Sequence, residues 1–446
     1  MSDPCATSAG LLRYAEALSR LLAQAPGLPS ERCANQHASG RVLAEDIFAT
    51  SPLPAFDNAA MDGYALHSAG QTLRAGSVHV IAGTVTAGDA PPMQAAPAWA
   101  IMTGAPLPPR TDTIVPIERT ERLDATHMRL REDVQSGQHL RRQGSDMQPG
   151  ERLAGAGQQV DATVAMLLAA QGIGEVAVRA QPRVAILSTG NELVDDPHAP
   201  LLPGQIRASN GHFLAAALEE AGARVVAHHT LADVPDVFAR TLAKVAAQSD
   251  LVLTTGAVSA GIHDFIPAAL QAAGAVQLFH KTAIRPGKPL LASRLPDGPL
   301  VLGLPGNPVA TAVGFRFFAV PWLRAQLGLP VERPLRARLA ADCQGRSGFR
   351  QFLKARVDQD SEGQLQVQVL TGQESFRIGA LLDANAWAVI DEDAGLLTAG
   401  TPIEVLPRDA GGRWSFAPDS GRAELARLGP CRESFSRASS ALRPCG

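Results

Sequence analysis

Arg183-Val-Ala-Ile-Leu-Ser-Thr-Gly-Asn-Glu-Leu193 decides the fold. Residues 183–187 read as a strand, and Ser-Thr-Gly turns the chain toward a helix at 212–221. The same rhythm recurs three times. Strand 224–228 precedes helix 235–248. Strand 251–255 runs through a glycine turn, 256–261, into a helix ending at Ala273. Strand 300–302 leads to helix 309–327. Strands alternating with helices imply a parallel sheet with helices on both faces, and ligands of such sheets sit beyond the carboxyl ends of the strands.

Outside this span the pattern changes. Leu11, Ala15, Leu18 and Leu22 would share one helical face, with Pro26 beyond the helix. From 42 to 131, short apolar runs at 78–82, 99–102 and 113–117 sit between Gly and Pro turns and read as β-rich. A helix is expected over 162–171, with Asp161 as N-cap and Gly172 as its stop. Residues 334–407 are strand-like again, as at 365–370 and 387–390, and suggest a small β-barrel. Beyond them the chain is rich in Arg, Ser, Gly and Pro without periodicity and reads as a mobile tail.

Composition narrows the function. The chain has 446 residues, 46% apolar and 19% charged. That length is enough for about three domains of ordinary size, and the balance excludes a disordered or collagen-like chain. With 40 basic and 43 acidic residues the net charge is −3, so there is no basic footprint for nucleic acid. No apolar run reaches the roughly 18 residues of a membrane span. Asp3 and Glu16 break the order of a signal peptide, so a cytoplasmic protein is expected. Five scattered cysteines without metal-ligand spacing read as free thiols and argue against zinc or iron–sulfur chemistry.

Six segments could carry chemistry. In 51–65, Asp57-Asn58 and Asp62-Gly63 are ordinary turn pairs with carboxylates; in 101–108, Thr103-Gly104 could present a hydroxyl and an N–H. At the strand ends, Ser188-Thr-Gly-Asn-Glu192 and Thr254-Thr-Gly-Ala-Val-Ser-Ala-Gly-Ile-His-Asp264 place Gly190, Gly256 and Ser259 where an anion could approach the backbone. Glu192 and Asp264 would then be hard oxygen ligands for Mg²⁺ beside a phosphate. The alternative, glycines that only permit tight turns and acids that cap helices, stays open. Lys281-Thr-Ala-Ile-Arg-Pro-Gly-Lys288 gathers three cations around a rigid Pro-Gly turn, which suits an anion. Leu304-Pro-Gly-Asn-Pro308 is another strand-to-helix turn, with Pro308 near the first helical position. Neither a P-loop nor a dinucleotide fingerprint is present. These features point to a nucleotide or pyrophosphate, held with Mg²⁺.

Taken together and in order, the stretches 51–65, 101–108, 141–150, 185–193, 204–210, 253–265, 284–289 and 303–311 resemble the molybdopterin molybdenumtransferase family. This is the MoeA type, which also forms the C-terminal part of gephyrin. Phe56-Asp-Asn-Ala-Ala-Met-Asp-Gly-Tyr64 and Leu304-Pro-Gly-Asn-Pro308 are its most specific pieces. The resemblance implies a multidomain homodimer: a discontinuous helical domain (7–44 and 141–181), an inserted β-rich domain (45–140), a three-layer α/β domain with a parallel sheet (182–328) and a C-terminal β-barrel (329–407). A disordered tail (408–446) would follow. It also implies a Mg²⁺-dependent enzyme that inserts molybdenum from molybdate into adenylylated molybdopterin, releasing AMP. The cleft would lie between the α/β domain of one subunit and the inserted domain of the other. Molybdopterin adenylyltransferase and acceptor molybdoenzymes are candidate partners.

By the same resemblance Asp62, Thr103, Glu192 and Asp264 are catalytic, the last two as metal ligands. Asp146, Gly190, Asp233, Gly256, Ser259, Lys281, Arg285, Lys288, Pro305, Gly306, Asn307 and Pro308 would bind substrate. This chain departs from the family in three places. Arg285 stands where many relatives have Lys, Ala257 replaces a common Gly, and Ser145 stands where Glu is frequent. Residues 348–354 match the family's Arg-containing pattern only in part, and bring Arg350, Lys354 and Ser375 into consideration. Two other readings are an adenylyltransferase, which usually comes as the α/β domain alone, and a gephyrin-like scaffold without catalysis.

Overall fold

The computed structural model describes residues 10–258 and 265–409, together with Gly411 and Trp414. Ser259, Asp264 and nearly all of the expected tail lie outside the described residues. The chain packs as two compact units, one of residues 31–178 and one of residues 1–30 with 179–446.

The larger unit is built on a six-stranded sheet. Its order is Arg224–Leu231, Arg183–Thr189, Leu251–Thr255, Leu300–Leu304, Leu291–Arg294, Val276–His280. The first four strands are parallel; Leu291–Arg294 alone runs against them, and Val276–His280, antiparallel to it, points the same way as the first four, so the expected parallel sheet is broken by one strand. The correction has a local cause. Leu291–Arg294 and Leu300–Leu304 form a hairpin over Pro296-Asp297-Gly298, with Asp297 at φ 45°. Asp-Gly between apolar runs is a hairpin signal and needs no crossover helix.

Residues of these strands alternate between two cores. Val184, Ile186, Leu251, Leu253, Leu300 and Leu302 pack under helix Ser209–Glu220 and the helical run from Pro308 to Leu327. Ala185, Leu187, Val252 and Val301 pack under helices Pro235–Ala246 and Ile266–Ala272. That period-2 division produces three layers. The run from Pro308 is interrupted by a π-helical turn at Phe315–Ala319, and all five of those residues are buried.

The first helix spans Tyr14–Leu22 and buries Ala17 and Leu21, whereas Leu11, Leu18 and Leu22 of the face expected above are half-buried and Ala15 is exposed. Tyr14 sets the rotation: its ring meets Phe318 and Phe352 edge-on, each at 5.3 Å between centroids. An aromatic buries more surface than an alanine, so its side of the helix turns inward. A closed five-stranded barrel completes this unit. Arg350–Gln359 pairs with Leu365–Val369 and Ala386–Ile390, and Leu335–Leu339 and Pro402–Pro407 close the ring.

The smaller unit holds a second six-stranded sheet, Thr113–Pro116, Gly63–Leu66, Ala98–Ile101, Val78–Val85, His127–Leu130, Thr120–Arg122. Its helix Ala162–Ala170 starts where the sequence places it, with the Asp161 carboxylate accepting the Val164 N–H at 2.8 Å. Among the described residues no helix is long and apolar enough to cross a membrane, and Cys33 and Cys343 are free thiols.

Candidate functional site

Three parallel strands end side by side in the larger unit. A cavity of about 800 Å³ opens beyond their carboxyl ends. It is lined by Gly190, Glu192, Asp233, Gly256, Gly306, Asn307 and Pro308, so seven residues singled out from separate stretches share one space. Asp233 N–H donates to the Asn191 side-chain oxygen at 3.0 Å, and Asn191 N–H returns a bond to the Asp233 carboxylate at 3.4 Å. This exchange ties the Glu192 turn to the loop after Arg224–Leu231.

The glycines act here by their small size. Gly190 N–H donates to Leu231 O at 3.1 Å and Gly256 N–H to Leu304 O at 3.2 Å, so neither is kept for a ligand as the sequence suggested. Gly256 has φ 90°, and a Cβ there would lie 2.4 Å from Thr189 O. Gly306 approaches it closely, its own Cβ position 3.6 Å from the Gly256 Cα. Ala257, standing where the family commonly has Gly, is held at φ 48°. A left-handed conformation costs a non-glycine residue about 1–2 kcal/mol.

The Pro305–Pro308 turn is fixed from behind. Thr311 Oγ1 donates to Pro305 O at 2.6 Å and Asn210 Nδ2 to Gly306 O at 2.7 Å. Asn210 lines the cavity too, and sequence reasoning missed it although it ends one of the matching stretches. The Ser188 hydroxyl, buried in the same wall, has no hydrogen-bond partner among the described residues.

A second cavity of about 930 Å³ brings Arg285 and Lys288, with Pro305 and Asn307, opposite Asp342, Gln344, Gln351, Glu374 and Ser375. Asn307 borders both spaces. Val309 N–H donates to Ser375 O at 3.0 Å, so the turn and the 371–377 loop are joined between them. Lys281 lines neither cavity; its N–H donates to Leu290 O at 2.8 Å. Arg350 is engaged with Asp391 at 2.9 Å and Glu404 at 3.4 Å. Lys354 is 1% exposed, and its ammonium donates to the carbonyls of Gly372, Glu374 and Arg377 at 2.5, 3.3 and 3.2 Å. Burial pulls its pKa down, opposed by the nearby Glu374 carboxylate.

In the smaller unit the structure joins Asp62 to Thr103. The Thr103 N–H and hydroxyl donate to the same Asp62 oxygen at 2.7 and 2.8 Å. The N–H first, then the hydroxyl, hold this exposed carboxyl below the usual carboxylate range. Asp146 exposes its side chain on the turn whose N–H donates to Leu53 O at 2.9 Å.

Known proteins match nearly this whole span. Residues 12–172 match the MoeA N-terminal region (domain I and II), 185–325 a "probable molybdopterin binding domain", and 336–407 the MoeA C-terminal region (domain IV). The molybdopterin molybdenumtransferase of Synechococcus elongatus is 39% identical over 407 residues, covering 89% of this chain and 99% of the relative. That of Bacillus subtilis is 33% identical over 400 residues, covering 86% and 92%. The crystal structure of the molybdopterin biosynthesis MoeA protein of Pyrococcus horikoshii superimposes with a TM-score of 0.74 at 26% identity, over 89% of this chain and 99% of that one.

Proposed function

The chain belongs to the molybdopterin molybdenumtransferase family, and from that premise we propose that it transfers molybdenum from molybdate to adenylylated molybdopterin, with AMP as leaving product. One observation carries the reading: a single strand-to-helix turn is flanked by two charged cavities, the first lined by Glu192 and Asp233 with Arg207, the second by Arg285 and Lys288 with Asp342 and Glu374.

The donor set of the first cavity fits Mg²⁺. Glu192 and Asp233 are hard oxygen donors, the unpartnered Ser188 hydroxyl is a further polar group in the wall, and Mg²⁺ needs only one or two carboxylates when phosphate oxygens complete its shell. Glu192 would hold the ion together with Asp264, which lies beyond the described residues. When bound, Mg²⁺ would offset the charge of the pyrophosphate. The remaining work falls to the chain. Gly256 and Gly306, without side chains, let the pyrophosphate approach the strand ends. Arg285 and Lys288 neutralise molybdate and phosphate oxygens, so that molybdate can approach the pterin dithiolate while water adds to the α-phosphorus, the bridging P–O bond breaks, and AMP and molybdopterin phosphate separate.

The proposal extends to a cytoplasmic homodimer in which Asp62 and Thr103 of one subunit complete the site of the other. Mixing Asp62→Asn with Asp264→Asn under subunit exchange should then restore activity, because one cleft of each mixed dimer carries neither defect. No recovery in confirmed mixed dimers would place both residues in the same chain's site. The activity itself is tested by incubating the pure protein with adenylylated molybdopterin, molybdate and Mg²⁺. Molybdate-dependent AMP release is expected, and its absence overturns the assignment in favour of a scaffold.

A further inference from the structure

The first cavity also has apolar lining residues that the reaction described above leaves unused. Phe376, Ile378 and Ile206 line it at 63%, 46% and 53% exposure. Three large apolar side chains left open beside a polar pocket mark a ligand surface rather than ordinary packing.

The backbone that carries Phe376 is held on both sides. The buried Lys354 ammonium bonds the carbonyls of residues 372, 374 and 377, which bracket Phe376 in sequence. Gln373 Nε2 donates to Lys354 O and Leu370 O, both at 2.8 Å. Ser375 O accepts the Val309 N–H from the Leu-Pro-Gly-Asn-Pro turn. The Arg377 guanidinium lies 5.7 Å from the Phe376 ring centroid and is itself paired with Glu374 at 2.9 Å. An exposed ring on a fastened loop is already ordered before a ligand arrives, and that lowers the entropic cost of binding.

We propose that Phe376, backed by Ile378 and Ile206, is a stacking platform for the planar nitrogen heterocycle of the adenylylated substrate, with the pyrophosphate running from it toward Glu192 and Gly256. This rests on the functional reading above and deepens it by naming a ring-binding subsite. Adenine and pterin share the required chemistry, a flat π-face on a phosphate-bearing molecule. Lys354 is then a positioning residue: it touches no ligand and orders the loop that presents the ring.

The test uses the full chain. Stacking on an aromatic side chain is worth about a five- to hundredfold change in affinity on truncation to alanine. Phe376→Ala should therefore weaken binding of AMP, or of a phosphate-free pterin, by about tenfold in calorimetry, while Phe376→Tyr keeps it. In turnover, KM should rise with little change in kcat. Phe376→Trp should add ligand-dependent fluorescence quenching absent from the wild type. Quenching by AMP identifies adenine as the stacked ring, and quenching by pterin alone identifies the pterin. If the wild type turns over normally, Phe376→Ala binds both probes with wild-type affinity and no new quenching appears, the platform is wrong and the enzyme assignment stands. A changed oligomeric state with unchanged ligand affinity also overturns it. A wild type that neither binds AMP or pterin nor releases AMP overturns both proposals.

Discussion

The two cavities beside Leu304-Pro-Gly-Asn-Pro308 share Asn307 and a loop, yet they are made differently. The first lies at the ends of parallel strands, and strand pairing alone brings its glycine turns together. Ser188 stands opposite Thr255 and Thr255 opposite Leu304 in the ladder, so turns 50 to 70 residues apart in sequence become neighbours. The second has a cationic Pro-Gly loop on one side and barrel residues with Asp342 and Glu374 on the other, and only the docking of barrel on sheet creates it. A site made by strand register tolerates little change in its backbone. A site made by docking depends on the contacts that hold the facing elements.

The largest effect expected from breaking this contrast is at Glu192. Glu192→Gln should cut AMP release by about a hundredfold, the scale of losing one charged group aimed at the reacting centre. The side chain is exposed, so thermal stability should stay near wild type. Normal turnover with Mg²⁺ limiting would make Glu192 a turn residue only.

Backbone rigidity is tested next at Gly256. A Cβ 2.4 Å from Thr189 O at φ 90° requires the strand ends to move apart. Gly256→Ala should cost about 2–3 kcal/mol in denaturant unfolding, and nucleotide binding should weaken with it. The second cavity should behave otherwise. Arg285→Ala with Lys288→Ala should lower oxyanion affinity about tenfold at low salt, and the deficit should shrink as ionic strength rises. Stability should change little. A loss that ignores salt would mean the two cations hold the barrel rather than a ligand.

Ala257 offers a smaller test of opposite sign. Ala257→Gly removes about 1–2 kcal/mol of left-handed strain and adds about 0.5–1 kcal/mol of chain entropy, so a slight rise in the midpoint of thermal unfolding is expected. The smallest effect concerns pH. Because the folded-state pKa of Asp62 is depressed, its contribution to stability is present above the ordinary carboxylate value and lost as the pH falls through the folded one. Thr103→Val deletes the hydroxyl and keeps the N–H. The Asp62 carboxyl, followed by NMR titration, should move upward while staying below the ordinary value.

What could be read in the linear chain follows the same division. The strands from 183 and 251, the Asp161 cap and the Pro308 start were legible because each depends on a few adjacent residues. Leu291–Arg294 was missed although its Asp-Gly turn was visible, since a four-residue strand carries too little pattern to stand out. Asn210 could have been found at the end of its matching stretch. Phe376 could not: Gln373-Glu-Ser-Phe-Arg377 has no periodicity, and the lysine that orders the loop lies about 20 residues away on a barrel strand.

By itself the sequence determined the alternation of strand and helix, the glycine turns at strand ends and the residue types of a phosphate and cation chemistry. These are local properties, set by backbone sterics and by the period of apolar side chains. Tertiary structure alone decided which turns share a cavity, that the glycines serve by close approach while their N–H groups are spent, and that Arg350 is engaged in the barrel. It also decided that Lys354 disappears beneath a loop. Those outcomes depend on which distant groups satisfy one another once buried, because an unpaired polar group in the interior costs more than any local preference can return.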